Sequence, residues 1–393
     1  MAEDVFITAA ARTPMGGFQG ALSPLTAPEL GGTAIAAVLA RHHSDASLID
    51  DLIMGCVLPA GLGQAPARQA GLAGGLPQSV PCTTVNKMCG SGMKAVMLGY
   101  DQIRAGSAEM IIAGGMESMS NAPYLAAKAR GGARLGHQAL QDHMLLDGLE
   151  DAYDRGKLMG SFAEDCAEFY QFSRTAQDSF ALTSLTRAQN AQTQGKLVDE
   201  ICPVTIPTKT TSHQVSADEQ PQLAAPEKIP LLKPAFKDGG TVTAANSSSI
   251  SDGAAALGLA SSAAVSAHNL TVRARLCGHA SFAHAPGWFT TAPVHAARKL
   301  MKQLGWQTSD VDLWEVNEAF AVVAMAFIHE LALDPEQVNI HGGACALGHP
   351  IGASGARILV SLLTALTQTG GRKGVAAICL GGGEGIAVAV ERL

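Results

Sequence analysis

The two ends of the chain repeat one order of short apolar segments, and this duplication strongly constrains the fold. Three pairs of strand-like runs correspond, namely 5–10 with 272–276, 50–57 with 310–317 and 110–115 with 375–379. Short apolar strands that alternate with helical stretches are typical of βαβ units and of buried parallel or mixed sheets. Coincidence between two βαβ units would give similar spacing. The pattern therefore favours, without proving, an α/β protein with two similar halves in an α/β/α/β/α arrangement.

A long middle stretch interrupts this order. Helices of the repeated halves are predicted over 29–40, 92–105, 291–304 and 353–367. Between the halves, residues 205–234 contain five prolines, and 160–194 is predicted to be helical. We predict a first half of 1–120 plus 245–270, an inserted segment of 121–244 and a second half of 271–393. Insertions of this kind are usually lids, binding loops or oligomer contacts.

Composition excludes several classes of protein. The net charge of −7 and the pI near 5.9 argue against nucleic acid as the main partner. The charged fraction of only 16% suits extensive burial and a subunit interface. Eight cysteines without a C-x-x-C pair predict neither a structural zinc site nor a disulfide framework. Since no apolar run reaches the length of a membrane span and the N-terminus does not resemble a signal peptide, we expect a cytoplasmic protein without membrane contact.

Cys89 stands out because it directly precedes a glycine-spaced segment that leads into a predicted helix. A thiol at a helix N-terminus meets free backbone N–H groups and the positive end of the helix dipole, and both favour the thiolate. Gly90, Ser91 and Gly92 would allow a bulky substrate to approach the backbone closely. The alternative is an ordinary buried cysteine.

Three further residues near the C-terminus are candidates for chemistry. His349 lies in the tight Gly/Pro-containing run 348–352, and Cys379 ends an apolar strand before three glycines. Asn317 follows another apolar strand, where an asparagine would also serve as a helix N-cap. The alternative interpretation of Cys379 is an ordinary core cysteine that precedes a flexible turn. Ser247, Ser248 and Ser249 form either a polar turn or contacts to phosphate or amide groups of a ligand.

Two competing motifs match poorly. The run from Gly90 to Ala95 fits the G-x-G-x-x-A pattern of dinucleotide-binding folds, with Glu109 about 20 residues on. However, a cysteine and polar residues directly precede the first glycine. The segment around Ser354 has Ala356 where a hydrolase nucleophile elbow needs its final glycine.

Taken together, these segments closely resemble the thiolase family. The matching runs follow one another in order from residue 5 to the C-terminus and are 86–94, 114–120, 246–253, 317–320, 348–356 and 379–385. The resemblance implies a thiolase-like fold and a two-step Claisen exchange between acyl-CoA thioesters. It also implies that acetyl-CoA, acetoacetyl-CoA and CoA are the substrates, that no further cofactor is needed, and that the protein is a homodimer or homotetramer.

The resemblance also implies a role for each candidate residue. Cys89 would attack an acyl-CoA and carry the acyl group, with His349 accepting its proton, and Cys379 would remove the α-proton of acetyl-CoA. His349 and a water molecule held by Asn317 would form one oxyanion hole, and the N–H groups of Cys89 and Gly381 the other.

The CoA-binding residues are implied in the same way. The pantetheine tunnel would be lined by Ser248 and Phe320, with Ala319 and Met159 as further CoA-binding residues. The 121–244 segment would bind the CoA nucleotide. Leu158 stands where many short-chain biosynthetic relatives have a histidine, and the basic residue expected near Gln222 is missing.

Several functions are compatible with this resemblance. The Cys-Gly-Ser-Gly run that begins at Cys89 favours condensation of two acetyl-CoA to acetoacetyl-CoA. The alternative is a thiolase that cleaves longer 3-ketoacyl-CoA in fatty-acid degradation. A decarboxylating ketoacyl synthase of similar fold would typically have a second His or Asn in place of Cys379. A non-catalytic acyl-CoA-binding protein would leave the complete Cys/His/Cys/Asn set unused.

Overall fold

The computed structural model describes residues 3–42 and 45–393, and these form a mixed α/β structure. The strands are β1 Val5–Arg12, β2 Gly16–Gly17, β3 Asp51–Gly55, β4 Cys82–Val85, β5 Met110–Ser118, β6 Tyr124–Leu125, β7 Gln141–Asp142, β8 Val204–Pro207, β9 Ser212–Val215, β10 Ser251–Ser261, β11 Ala274–Ala283, β12 Leu313–Val316, β13 Lys373–Leu380 and β14 Glu384–Glu391. The helices are α1 Ala27–His42, α2 Pro66–Ala73, α3 Ser91–Arg104, α4 Met159–Tyr170, α5 Arg174–Thr193, α6 Gln220–Leu223, α7 Ser262–His268, α8 Ala292–Leu304, α9 Ala321–Leu331, α10 Ala344–Leu347 and α11 Ile351–Thr369.

The large sheet consists of two similar halves joined edge to edge. Its strand order is β4-β3-β5-β10-β1 in the first half, continued by β11-β14-β13-β12 in the second. The antiparallel pairing of β1 with β11 connects the halves, whereas β3 is parallel to β4 and β5, and β12 is parallel to β13. A parallel bridge between Trp314 and Val338 occupies the edge of the second half that β4 occupies in the first. The predicted duplication is therefore visible in the strand order.

The helices lie in three layers. α3 and α11 pack against each other and against strands of both halves, so they form the central layer. α1 and α2 cover the outer face of the first half, and α8 and α9 cover that of the second. The predicted α/β/α/β/α architecture is confirmed, and its central layer carries the largest apolar cluster.

α11 is buried on nearly all sides. Within the described part of the chain, it is the one helix that is long and apolar enough to cross a membrane, judged by length and composition alone. The sequence, read for unbroken apolar runs, predicts no membrane span. Of its most apolar window, 89% is buried inside the protein. Its composition is therefore that of a helix packed between two sheet halves.

The middle segment differs from the prediction in two places. The helical stretch predicted over 160–194 is divided into α4 and α5, because Gln171 adopts a left-handed conformation with φ 55°. Ser173 then caps α5 by accepting a hydrogen bond from the N–H of Ala176 at 3.2 Å. The proline-rich stretch predicted to be irregular contains the β8–β9 hairpin and the short helix α6. Strand β10 then returns to the large sheet between β1 and β5.

Glycines bring the central helices into very close contact. A Cβ atom at Gly92 would lie 2.9 Å from the N of Ala356, and one at Gly355 would lie 2.6 Å from the N of Met93. A Cβ at Gly115 would lie only 2.0 Å from the carbonyl oxygen of Gly352. These contacts place the first turn of α11 directly against α3 and β5.

The Gly115→Ala variant should therefore be destabilised. The added methyl group has to push α11 away from β5, and overpacking of this kind costs about 1–3 kcal/mol. Denaturant unfolding of the purified variant measures the loss. Gly131→Ala is the control, since no heavy atom outside the neighbouring residues lies within 4 Å of the added carbon. Equal stability of the two variants would show that the contact at Gly115 is not tight.

Candidate active site

A tight turn between β4 and α3 presents Cys89. The side-chain oxygen of Asn86 accepts a hydrogen bond from the N–H of Met88 at 2.9 Å. The hydroxyl of Ser91 accepts one from the N–H of Lys87 at 2.8 Å and donates one to the carbonyl of Met88 at 2.6 Å. Met88 has φ 48°, a left-handed conformation that costs a non-glycine residue about 1–3 kcal/mol. The side-chain bonds within the turn hold this conformation and leave part of the Cys89 residue exposed, while its sulfur is enclosed by the protein.

The end of β13 lies directly beside this turn. A Cβ atom at Gly90 would lie 2.6 Å from a methyl carbon of Leu380, the last residue of β13. Cys379 precedes Leu380 and is buried, with its thiol close enough for the two sulfurs to interact electrostatically. The backbone N–H groups of Gly381 and of Cys89 itself lie close enough to the Cys89 sulfur to lower its pKa.

His349 enters the same site from the loop before α11. Its Nδ1 lies 2.5 Å from the hydroxyl of Ser354, and that hydroxyl donates to the carbonyl of Pro350 at 2.8 Å. The hydroxyl oxygen is therefore available to accept a hydrogen bond from Nδ1–H, so the ring proton stays on Nδ1 and Nε2 is unprotonated. Nε2 faces the side-chain amide of Asn317 at 3.4 Å. The hydrogen bonds thus assign the tautomer in which Nε2 can act as a base.

Burial and backbone donors act in opposite directions on the pKa of Cys89. Burial raises the pKa of this thiol to about 11, and Glu117 also raises it. The N–H groups of Gly381 and Cys89 lower the pKa, in the direction expected for a helix start, but are outweighed. The free thiol of Cys89 therefore stays protonated at neutral pH. Removing water from the sulfur destabilises the thiolate by more free energy than the backbone N–H groups contribute to stabilising it.

The other two titratable groups are also held in their neutral forms. Burial, assisted by the positive charge of Arg357, lowers the pKa of His349 to about 3. Burial, assisted by Cys89, raises the pKa of Cys379 well above its usual range. At neutral pH the free site therefore contains two thiols and a neutral imidazole.

The predicted CoA-binding residues lie beside this site. The hydroxyl of Ser248 donates to the carbonyl of Ala319 at 3.0 Å, and Ser247 forms a β-bridge with Phe320. The Phe320 ring packs near those of Phe236 and Phe289, in an apolar cluster that also contains Cys379. Met159 belongs to the rim of this cluster, and its sulfur lies 3.6 Å from the position of a Cβ on Gly381.

Two residues have clear roles in this geometry that the sequence analysis did not predict. Ser354 orients the imidazole of His349, and a hydroxyl five residues after a candidate base was the available signal. Glu117 is fully buried, and this burial raises its pKa to about 7. Nothing in the local sequence distinguishes it from any other residue at the end of a strand. The side-chain oxygen of Asn317 has no hydrogen-bond partner within the described residues, so it can accept one from a substrate or a water molecule.

A metal is not needed to explain these side chains. Across residues 3–42 and 45–393, no three His, Cys, Asp or Glu side chains are grouped so that they could hold a metal ion.

Comparison with known families agrees with this geometry. Family models for the thiolase N-terminal and C-terminal domains match residues 5–263 and 270–392. The chain belongs to the thiolase family.

Similar thiolases cover the full length of the chain. It is 48% identical to an acetyl-CoA acetyltransferase of Schizosaccharomyces pombe, over 99% of each chain. It is 50% identical to acetyl-CoA acetyltransferase 2 of Arabidopsis thaliana, over 99% of this chain and 97% of the relative. Among solved structures, the Acat5 thiolase from Ascaris suum in complex with coenzyme A superposes with a TM-score of 0.94 at 42% identity, over 100% of both chains.

Alkylation of Cys89 should reveal its raised pKa. Because the thiol stays protonated at neutral pH, we expect the alkylation rate of the free enzyme to keep rising with pH towards about 11. Iodoacetamide labelling, with Cys89 followed by peptide mass spectrometry, measures this rate. A plateau near neutral pH would instead indicate a preformed thiolate paired with an imidazolium. Cys89→Ala identifies signals that arise from other thiols.

Proposed function

We propose that this thiolase is an acetyl-CoA C-acetyltransferase that reversibly condenses two acetyl-CoA to acetoacetyl-CoA and CoA. The observation that carries the proposal is a series of neighbouring groups from four different segments. The thiols of Cys89 and Cys379 interact. The N–H of Asn317 donates to the carbonyl of Ala377 just before Cys379, and the side-chain amide of Asn317 faces His349. Similarity to the acetyl-CoA acetyltransferases of Schizosaccharomyces pombe and Arabidopsis thaliana supports acetyl-CoA as the substrate.

In the first step, Cys89 acquires the acetyl group. Nε2 of His349 accepts the thiol proton while the sulfur of Cys89 attacks the carbonyl carbon of acetyl-CoA. The bond from that carbon to the CoA sulfur breaks, and CoA departs as a thiol with the proton of Cys379. The site then holds an acetylated Cys89, an imidazolium and a Cys379 thiolate. The high pKa that burial gives Cys379 makes this thiolate a strong base.

In the second step, the Cys379 thiolate removes a proton from the methyl carbon of a second acetyl-CoA. The resulting enolate carbon attacks the carbonyl of the acetylated Cys89, which forms the new carbon–carbon bond and breaks the bond to sulfur. The Cys89 sulfur leaves and recovers the proton from His349. Acetoacetyl-CoA is released, and all three groups regain their starting protonation states.

Two sets of donors suit the oxyanions of these steps. The enolate oxygen would be stabilised by protonated Nε2 of His349 and by a water molecule bound to the free amide oxygen of Asn317. The carbonyl oxygen on Cys89 would lie between the N–H groups of Cys89 and Gly381. Because both sets are partly buried, their hydrogen bonds act in a medium of low dielectric constant.

The assignments outside the reaction are part of the same proposal. The pantetheine part of CoA is bound by four residues, namely Ser248, Ala319, Phe320 and Met159. The 121–244 segment binds the nucleotide of CoA. No resident cofactor is needed, since two thiols and an imidazole complete every proton transfer. Eight free cysteines suit the reducing cytoplasm.

Exposed apolar side chains favour an oligomer. Tyr124, Leu135, Leu140 and Tyr153 all extend from the 121–244 segment and are more than half exposed. Their number within one inserted segment suits a subunit interface, in which such side chains would be covered. We propose that it contributes to a homodimer or homotetramer, with the tetramer as the preferred form.

Leu158 favours a second candidate, a thiolase for longer 3-ketoacyl-CoA. Leu158 is the N-cap residue of α4 and is partly exposed beside Met159, so it presents an apolar side chain near the predicted tunnel.

The two catalytic thiols should have separable roles. Cys89→Ala should not gain the acetyl mass on incubation with acetyl-CoA, as measured by intact-protein mass spectrometry. Cys379→Ala should still become acetylated but fail to exchange the α-protons of acetyl-CoA with deuterated solvent. Cys166→Ala is the matched control, because Cys166 is also a buried thiol in the apolar cluster of Cys379. Exchange retained in Cys379→Ala would contradict the role of that residue as the base.

Chain-length preference separates the two candidate functions. Thiolytic cleavage by free CoA should have a higher kcat/KM for acetoacetyl-CoA than for 3-ketodecanoyl-CoA. Side-by-side assays on one enzyme preparation provide the comparison. Faster cleavage of the longer substrate would assign the protein to fatty-acid degradation and leave the catalytic residues in the same roles.

A further inference from the structure

Glu117 is a fully buried carboxylate at the end of β5 that the proposed reaction does not use. One of its oxygens accepts hydrogen bonds from the N–H groups of Val57 and Gly352, both at 2.9 Å. The other accepts from the N–H of Leu58 at 3.1 Å and from the thiol of Cys56 at 3.5 Å. A carboxylate is the one common side chain with enough acceptor sites for four donors in this arrangement.

The bond to Gly352 replaces a missing helix cap. α11 begins after Pro350, which makes no side-chain hydrogen bond to the first turn. Glu117, at the end of β5, supplies the oxygen that accepts the hydrogen bond from this first turn. A negative charge is favourable at this end of a helix. Gly352 is three residues after His349, so this bond fixes the start of the helix that directly follows the catalytic imidazole.

The remaining bonds hold the wall beside the nucleophile. Val57 and Leu58 belong to an apolar cluster with Ile351, and Met88 and Cys89 pack against that cluster. The N–H of Cys56 also donates to the carbonyl of Val85, at the end of the strand that leads to Cys89, at 3.0 Å. One carboxylate therefore joins the segment that supports Cys89 to the helix that follows His349.

The strand register relates Glu117 to Cys379. Gly55 ends β3 and pairs with Gly115, two residues before Glu117. Val316 ends β12 and pairs with Ala377, two residues before Cys379. Both residues also lie opposite a glycine on the next strand, Gly253 and Gly385 respectively. In the duplicated fold, Glu117 thus occupies in the first half the position that the proposed base occupies in the second.

We infer that Glu117 is a positioning residue for the acyl-transfer reaction, one that fixes the start of α11, and with it His349, relative to Cys89. This inference rests on the proposed function, because it assigns His349 the task of accepting the Cys89 proton. Displacement of a catalytic group by about 1 Å can cost about a hundredfold in rate.

Glu117→Gln tests the inference with little change in shape. An amide has one acceptor oxygen, so its NH2 group must face two donors in either orientation, and α11 or the 56–58 segment loses its anchor. We expect kcat for thiolysis of acetoacetyl-CoA to fall by about tenfold to a hundredfold, with KM changed much less. Asp50→Asn is the control. Asp50 also accepts two backbone N–H groups, those of Glu109 and Met110, but at the opposite end of β5.

Two measurements on Cys89 distinguish positioning from loss of stability. Acetylation of Cys89 by acetyl-CoA, measured in a single turnover on folded protein, should slow in Glu117→Gln. Alkylation of Cys89 by iodoacetamide at a fixed alkaline pH should become faster, since removing the nearby negative charge eases thiolate formation. Glu117→Asp keeps the charge but shortens the side chain, so it should slow acetylation without accelerating alkylation. It also provides the test if the glutamine variant does not fold.

The outcomes separate this inference from the proposed function. If wild-type enzyme is acetylated and the folded Glu117 variants are acetylated at the same rate, the inference is overturned and the proposed function stands. If wild-type enzyme forms no acetylated Cys89, the proposed function is overturned, and the inference with it. Slower acetylation together with faster alkylation in Glu117→Gln supports both.

Discussion

The close contact between α3, α11 and β5 is the constraint on which the site depends. At Gly92, Gly115 and Gly355, a single added carbon would meet backbone atoms of the neighbouring element at 2.0–2.9 Å. Because interiors are packed to the density of organic crystals, such contacts leave the helices little freedom to shift. The turn before α3 carries Cys89, and the loop before α11 carries His349. Packing of two helix starts therefore sets the distance between nucleophile and base.

Burial then determines the protonation states, and an ion pair helps to hold the groups in place. Glu315 and Arg357 are both buried, with 3.9 Å between the nearest oxygen and nitrogen. Glu315 is two residues before Asn317, and Arg357 belongs to α11, so the pair joins the strand of the amide to the helix of the imidazole. Burial raises the pKa of Glu315 to about 8 and lowers that of Arg357. Since desolvation of such a pair is costly and no hydrogen bond joins the two side chains, the pair adds little net stability.

Much of this arrangement could be predicted from local sequence, and the failures have a common cause. The segments around Cys89, His349 and Cys379 combine glycines with reactive side chains, and the predicted helices 92–105 and 353–367 correspond to α3 and α11. The influence of the helix start on Cys89 is visible in the local sequence, whereas the burial that outweighs it comes from segments distant in the chain and is not. The anchoring by Glu117 joins residues more than 200 positions apart, so no local pattern reveals it.

The duplicated fold explains why the catalytic groups converge at all. Each half provides a central helix that follows an edge position of its sheet, and the preceding turn carries Cys89 in one half and His349 in the other. Each half also ends its middle strand with a functional side chain, Glu117 in one and Cys379 in the other. A pseudo-symmetric frame thus brings two pairs of equivalent positions together. In one pair, Cys89 and His349 both act in the proposed reaction, whereas in the other Cys379 acts as the base and Glu117 supports the site. Different residues at a few equivalent strand and helix ends are sufficient to turn a symmetric core into an asymmetric site, which contains a nucleophile, two bases and a residue that positions them.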